Sequence, residues 1–142
     1  MRKIVLALSM AFAAVIGLLA PGTAMAADFE TDYAVAGTPP SGELLRCADA
    51  KSDVQVCYEV SGDRWWVLDN KSDGKSAVVV WENYRNGSLY RTGMCVNSHS
   101  AGTWASCNKN YYEDSVVYGW QGVWNRSSGS NADLYVTRWT FQ

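Results

Sequence analysis

From residue 54 to residue 141 short runs of β-branched and aromatic residues alternate with clusters of Gly, Asp, Asn and Ser, the rhythm of strands and turns. The pattern predicts strands over 54–60, 64–69, 76–83, 89–96, 104–108, 115–125 and 134–141. The 76–83 run is centred on Val78-Val79-Val80-Trp81 and reads as a buried strand, and Asn86-Gly87 after it is a hairpin turn. Within 115–125, Val116, Tyr118, Trp120 and Trp124 share one face. Beyond residue 26 no apolar set recurs at helical spacing for three turns. About seven short strands at this spacing predict an all-β protein, a small antiparallel β-sandwich.

The segment before them follows another pattern. Residues 27–45 contain Asp28, Glu30, Asp32 and Glu43 and no basic residue. Phe29, Thr31, Tyr33 and Val35 would share one face of a strand, with Asp28, Glu30 and Asp32 on the other. Pro39-Pro40 favours an extended chain and blocks a helix. Fully extended, this arm would span roughly 60 Å. It has the pattern of a strand awaiting a sheet edge, its own or a partner's.

Residues 1–26 read as a secretory signal peptide. Arg2 and Lys3 form the basic start, 4–20 the apolar run, and Ala24-Met25-Ala26 the cleavage site. Export leaves a chain of 116 residues, with 27–45 as an extended acidic arm and 46–142 as the sandwich. Ten basic against fourteen acidic side chains then remain, a net charge of −4 that resides wholly in the arm. That balance speaks against a nucleic-acid backbone or an anionic membrane as partner.

Cys47, Cys57, Cys95 and Cys107 are an even set in an exported domain and imply two disulfides. Four cysteines allow three pairings; the polar turns between near neighbours favour Cys47–Cys57 and Cys95–Cys107, each stapling a hairpin. No Cys-x-x-Cys spacing accompanies the single histidine, which argues against zinc, and no cofactor is implied.

Signs of catalysis are thin. His99 sits in a turn-rich loop without a nucleophile elbow. Residues 69–74, Asp-Asn-Lys-Ser-Asp-Gly, begin like a calcium loop, but Lys71 and Val80 stand where the loop needs oxygen ligands. Glu59, Glu82, Glu113 and Asp114 are carboxylates with no evident pairing across a groove. Seven Trp and eight Tyr are the sharper signal, more than one small core needs. Trp66, Trp104, Tyr111 and Tyr112 are the candidates for an exposed aromatic surface.

The runs Gly62-Asp-Arg-Trp-Trp-Val-Leu-Asp69, Asp73-Gly-Lys-Ser-Ala-Val-Val-Val-Trp81, Arg91-Thr-Gly-Met-Cys-Val-Asn97 and Trp104-Ala-Ser-Cys-Asn108 resemble a group of small secreted four-cysteine proteins of actinobacteria. The layout also resembles the adaptor subunit of the umbrella-shaped toxin particles of streptomycetes. That resemblance implies an N-terminal segment docking in a lectin subunit and a body meeting a large toxin subunit.

The expected function is therefore a non-enzymatic secreted interaction module. Phe29, Tyr33 and Val35 would anchor the arm on a protein partner, and Pro39 and Pro40 would hold it extended. The alternatives are a carbohydrate-binding module using exposed Trp and Tyr, and an enzyme inhibitor presenting the loop 97–104.

Overall fold

The computed structural model describes residues 27–41 and 44–142; the predicted signal peptide lies outside the described residues. Eleven strands are found among them: β1 (Phe29–Tyr33), β2 (Val35–Ala36), β3 (Leu45–Cys47), β4 (Val54–Glu59), β5 (Arg64–Asp69), β6 (Ser76–Arg85), β7 (Ser88–Asn97), β8 (Trp104–Asn108), β9 (Val116–Trp124), β10 (Asp133–Leu134) and β11 (Trp139–Thr140). They form two sheets. The first runs β1-β7-β6-β9-β10, with β11 also on β9, and the second runs β2-β8-β5-β4-β3. The fold is an all-β sandwich.

Period-two alternation decides which side chains enter it. On β6 the inward set is Ala77, Val79, Trp81 and Asn83; on β9 it is Val117, Gly119, Gln121 and Val123, all buried. Trp65, Tyr58 and Phe141 meet between the sheets, with ring centroids 4.8 Å and 4.9 Å from Trp65. Val116, Tyr118, Trp120 and Trp124 do share one face of β9, and it is the outer one. Asn86 and Gly87 both have positive φ, 51° and 76°, as the two-residue turn joining β6 to β7 requires.

The expected strand over 134–141 is broken. Leu134 pairs with Gly122 and Trp139 with Gly119, so the four residues between them on one side face two on the other. The two surplus residues loop out, and Val136 is left almost fully exposed.

Both disulfides pair as the spacing predicts. Cys47–Cys57 staples the β3–β4 hairpin across directly opposed positions. Cys95–Cys107 does not staple a two-stranded hairpin: β7 and β8 belong to different sheets, so this bond ties one sheet to the other. Among the described residues no helix is long and apolar enough to cross a membrane. Two disulfides are consistent with an extracellular, oxidising environment.

The closed loops span 10 and 12 residues, which in the chain-entropy model stabilises the fold by a little under ~3 kcal/mol each. Replacing Cys95 and Cys107 together by Ala should therefore lower the unfolding free energy by about 3 kcal/mol in urea titrations.

Candidate functional site

The arm finds an edge on its own body. β1 pairs in parallel with β7, and after Ala34 the chain crosses to the other sheet, where β2 pairs antiparallel with β8. One strand thus borders both sheets. The Ala34 amide donates to Val96 O at 2.8 Å, and Gly37 N donates to Trp104 O at 2.9 Å. At the crossing, His99 Nε2 lies 2.9 Å from the Ala34 carbonyl, so the turn histidine holds the arm. Gly93 makes the close approach possible: a Cβ there would fall 2.5 Å from Glu30 O and 2.7 Å from the Trp81 ring.

The arm's two faces are turned in an unexpected sense. The acidic face points inward. Arg91 grips the Glu30 carboxylate with two hydrogen bonds, 2.7 Å and 2.9 Å long. Lys109 Nζ donates to Glu30 at 3.0 Å and also pairs with Asp32. Its side chain is only 5% exposed and lies over the Trp81 ring. The Arg91 hydrogen bonds, reinforced by Lys109 and offset in part by burial, hold the Glu30 carboxyl well below its usual range, down to about 2.

The apolar face points outward. Phe29, Tyr33 and Val35 are 54%, 56% and 73% exposed. Backbone direction alternates along a strand, so the odd residues Phe29, Thr31 and Tyr33 turn their N–H and C=O groups away from β7. Among the described residues no strand pairs with that side of β1. Next to it, Phe29, Val80, Met94, Trp124, Ala132 and Leu134 line an apolar cleft of about 270 Å³ on the outer face of the first sheet. Pro39 and Pro40 lie half-buried beyond β2. β2 and β3 are at opposite edges of a five-stranded sheet about 19 Å apart. Pro39 and Pro40 lie on the segment that leads from the β2 edge toward the β3 edge.

The aromatic candidates divide. Trp66 is buried, contrary to expectation, although it lies on the outer side of its sheet: its indole N–H donates to Glu59 at 2.8 Å, Arg64 covers the ring, and Gly37 of the arm lies against it. Tyr111 is buried as well, because its hydroxyl accepts from Trp65 Nε1 at 3.0 Å and its ring packs on Trp81. Trp104 is half-buried. Tyr112 is exposed, with the Arg85 guanidinium 3.6 Å from its ring centroid and Tyr90 beside it. The four carboxylates do not assemble: Glu59 and Glu82 lie in different sheets, and Asp114 pairs with Arg85. Among the described residues no cluster of His, Cys, Asp and Glu is placed to hold a metal ion.

Arg91 and Lys109 were not legible as part of the site. Lys109 reads in sequence as a loop charge, and nothing local marks it as the partner of residues 77 and 79 positions away. No family model, curated protein or solved structure matches the chain.

Lys109→Ala would leave two carboxylates without their shared cation. Both keep partial exposure, 32% and 44%, so the loss should be about 2 kcal/mol, below that of a fully buried pair. The contribution of Glu30 is complete above its unfolded value near 4.5 and is lost as pH falls toward about 2. Glu30→Gln should therefore flatten the acid limb of the stability profile between those values, read by thermal unfolding at stepped pH.

Proposed function

We propose that the protein is a non-enzymatic secreted adaptor that docks a protein partner on the open edge of β1. The observation that carries the reading is the outward turn of Phe29, Tyr33 and Val35 on a strand whose acidic face is neutralised inside. A sandwich edge with unpaired backbone groups and protruding apolar side chains is a template for an added strand. The partner's strand would hydrogen-bond to the odd residues of β1 and seat an apolar side chain in the cleft beside Phe29. The export reading rests on the apolar N-terminal run of the sequence and is supported by the two disulfides.

The resemblance to streptomycete toxin adaptors gives this reading its biological form. The arm-bearing edge would meet one subunit of a secreted toxin complex, the lectin subunit, and a second surface of the body would meet the large toxin subunit. The arm acts in place, as a fixed strand of the sandwich, so deleting it is a poor test: deletion also strips Lys109 of its counter-charges and uncovers Trp66.

Substitution of the outward side chains alone separates docking from folding. Phe29→Ser, Tyr33→Ser and Val35→Ser combined should leave the unfolding midpoint near that of the parent. Burying three such side chains contributes several kcal/mol, so affinity for a captured secreted partner should fall at least about 100-fold. Immobilised 27–142 and the triple variant, each exposed to secreted protein from the native source and read by mass spectrometry, make the comparison. Equal capture by both forms would refute the docking edge.

A further inference from the structure

Away from the arm, the β6–β7 hairpin and β9 enclose a second depression on the outer face of the first sheet, about 510 Å³ in volume, within the size range of small-ligand sites. Tyr84 and Tyr118 form its apolar part, meeting edge to face with centroids 5.7 Å apart. The Arg138 guanidinium is stacked 4.2 Å from the Tyr118 centroid. Among the described residues it makes no ion pair or hydrogen bond, so the stacked fork keeps its donors available, held in one orientation. Asn86, at the hairpin tip, is exposed, and among the described residues its side-chain amide has no hydrogen-bond partner. Asp114 lies opposite, oriented by Arg85 at 3.2 Å and 3.4 Å, with acceptor capacity left over. Trp120, half-buried and 5.9 Å from Arg138, continues the aromatic track along β9.

These groups make a specific demand on a ligand. Ring surface lies next to both donors and acceptors, and the charges that line the depression balance, Arg138 against Asp114. A phosphate or nucleic-acid ligand would call for a surplus of cations, and a purely apolar one would leave Arg138, Asn86 and Asp114 unpaired. A pyranose meets the demand. Its C–H face packs on an aromatic ring, and each ring hydroxyl both donates and accepts. We propose that this depression is a binding site for a neutral sugar unit, with Tyr84 and Tyr118 as the apolar wall, Arg138 and Asn86 as donors, Asp114 as acceptor, and Trp120 as the platform for the next unit of the chain. The site uses none of the arm residues, and it stands or falls separately from the docking edge.

The test is binding of residues 27–142 to an array of neutral oligosaccharides of the gluco-, manno-, galacto-, xylo- and N-acetylglucosamine series, followed by tryptophan-fluorescence titration with any sugar retained. Saturable binding is expected to at least one series, weakened at least tenfold by Tyr118→Ala and by Arg138→Ala, and unaffected by Lys71→Ala in the β5–β6 turn. Arg138 is exposed and among the described residues makes only ring contacts, with no hydrogen bond or ion pair, so its removal keeps the test valid where Tyr118→Ala disturbs folding. A silent array, or binding undiminished in Arg138→Ala, overturns the proposal.

Discussion

The ammonium group of Lys109 lies almost fully out of water between two β-sheets, over the ring of Trp81. An unpaired cation there would be expensive. The carboxylates within reach are Glu30 and Asp32, both on the first strand of the chain. Arg91, on the strand that β1 pairs with, supplies the remaining positive charge to Glu30. Two cations and two anions thus close one side of the sandwich, the anions from β1 and the cations from β7 and the residue that follows β8.

Much else follows from this pairing. Because the acidic face of β1 is drawn inward, period-two alternation sends Phe29, Thr31 and Tyr33 outward. Because β1 lies on β7 at Gly93, the next residues reach the other sheet within one step, and β2 completes its edge. Gly37 then comes to rest over Trp66, closing a tryptophan that would otherwise face solvent. The Cys95–Cys107 bond ties the same two neighbouring strands, β7 and β8, that the arm borders. The covalent tie and the ionic tie reinforce one another at one side of the fold, and the apolar outer edge is what this arrangement presents to a partner.

Most of the strand plan was legible, because β-branched runs punctuated by Asp, Asn and Gly leave little choice. Asn86-Gly87 was legible as a turn, and local spacing favoured the two disulfide pairings that form, but not the tie between sheets that Cys95–Cys107 makes. The alternation of the arm was legible too, but not which face would turn in. A strand with one apolar and one acidic face ordinarily buries the apolar one, and the opposite outcome depends on a lysine far along the chain. Trp66 and Tyr111 were misjudged for related reasons. Adjacent Trp65 and Trp66 do point to opposite sides, yet both are buried because the arm and Arg64 cover the outer one, while Tyr111 is drawn in by a hydrogen bond to Trp65. The bulge before Trp139 left no trace in a segment whose residues all suit a strand.

The central claim is that the arm is a fixed strand with its even residues turned toward β7 and its odd residues on an open edge. Amide hydrogen exchange of residues 27–142, resolved by residue, tests it most directly. The account predicts an alternating record, with the amides of Glu30, Asp32 and Ala34 protected to a degree comparable with the β7 amides they adjoin and those of Thr31 and Tyr33 exchanging quickly. Fast exchange throughout 29–36 would mean that the arm is detached from the sandwich, and would contradict both the ionic closure by Lys109 and the docking edge built on it.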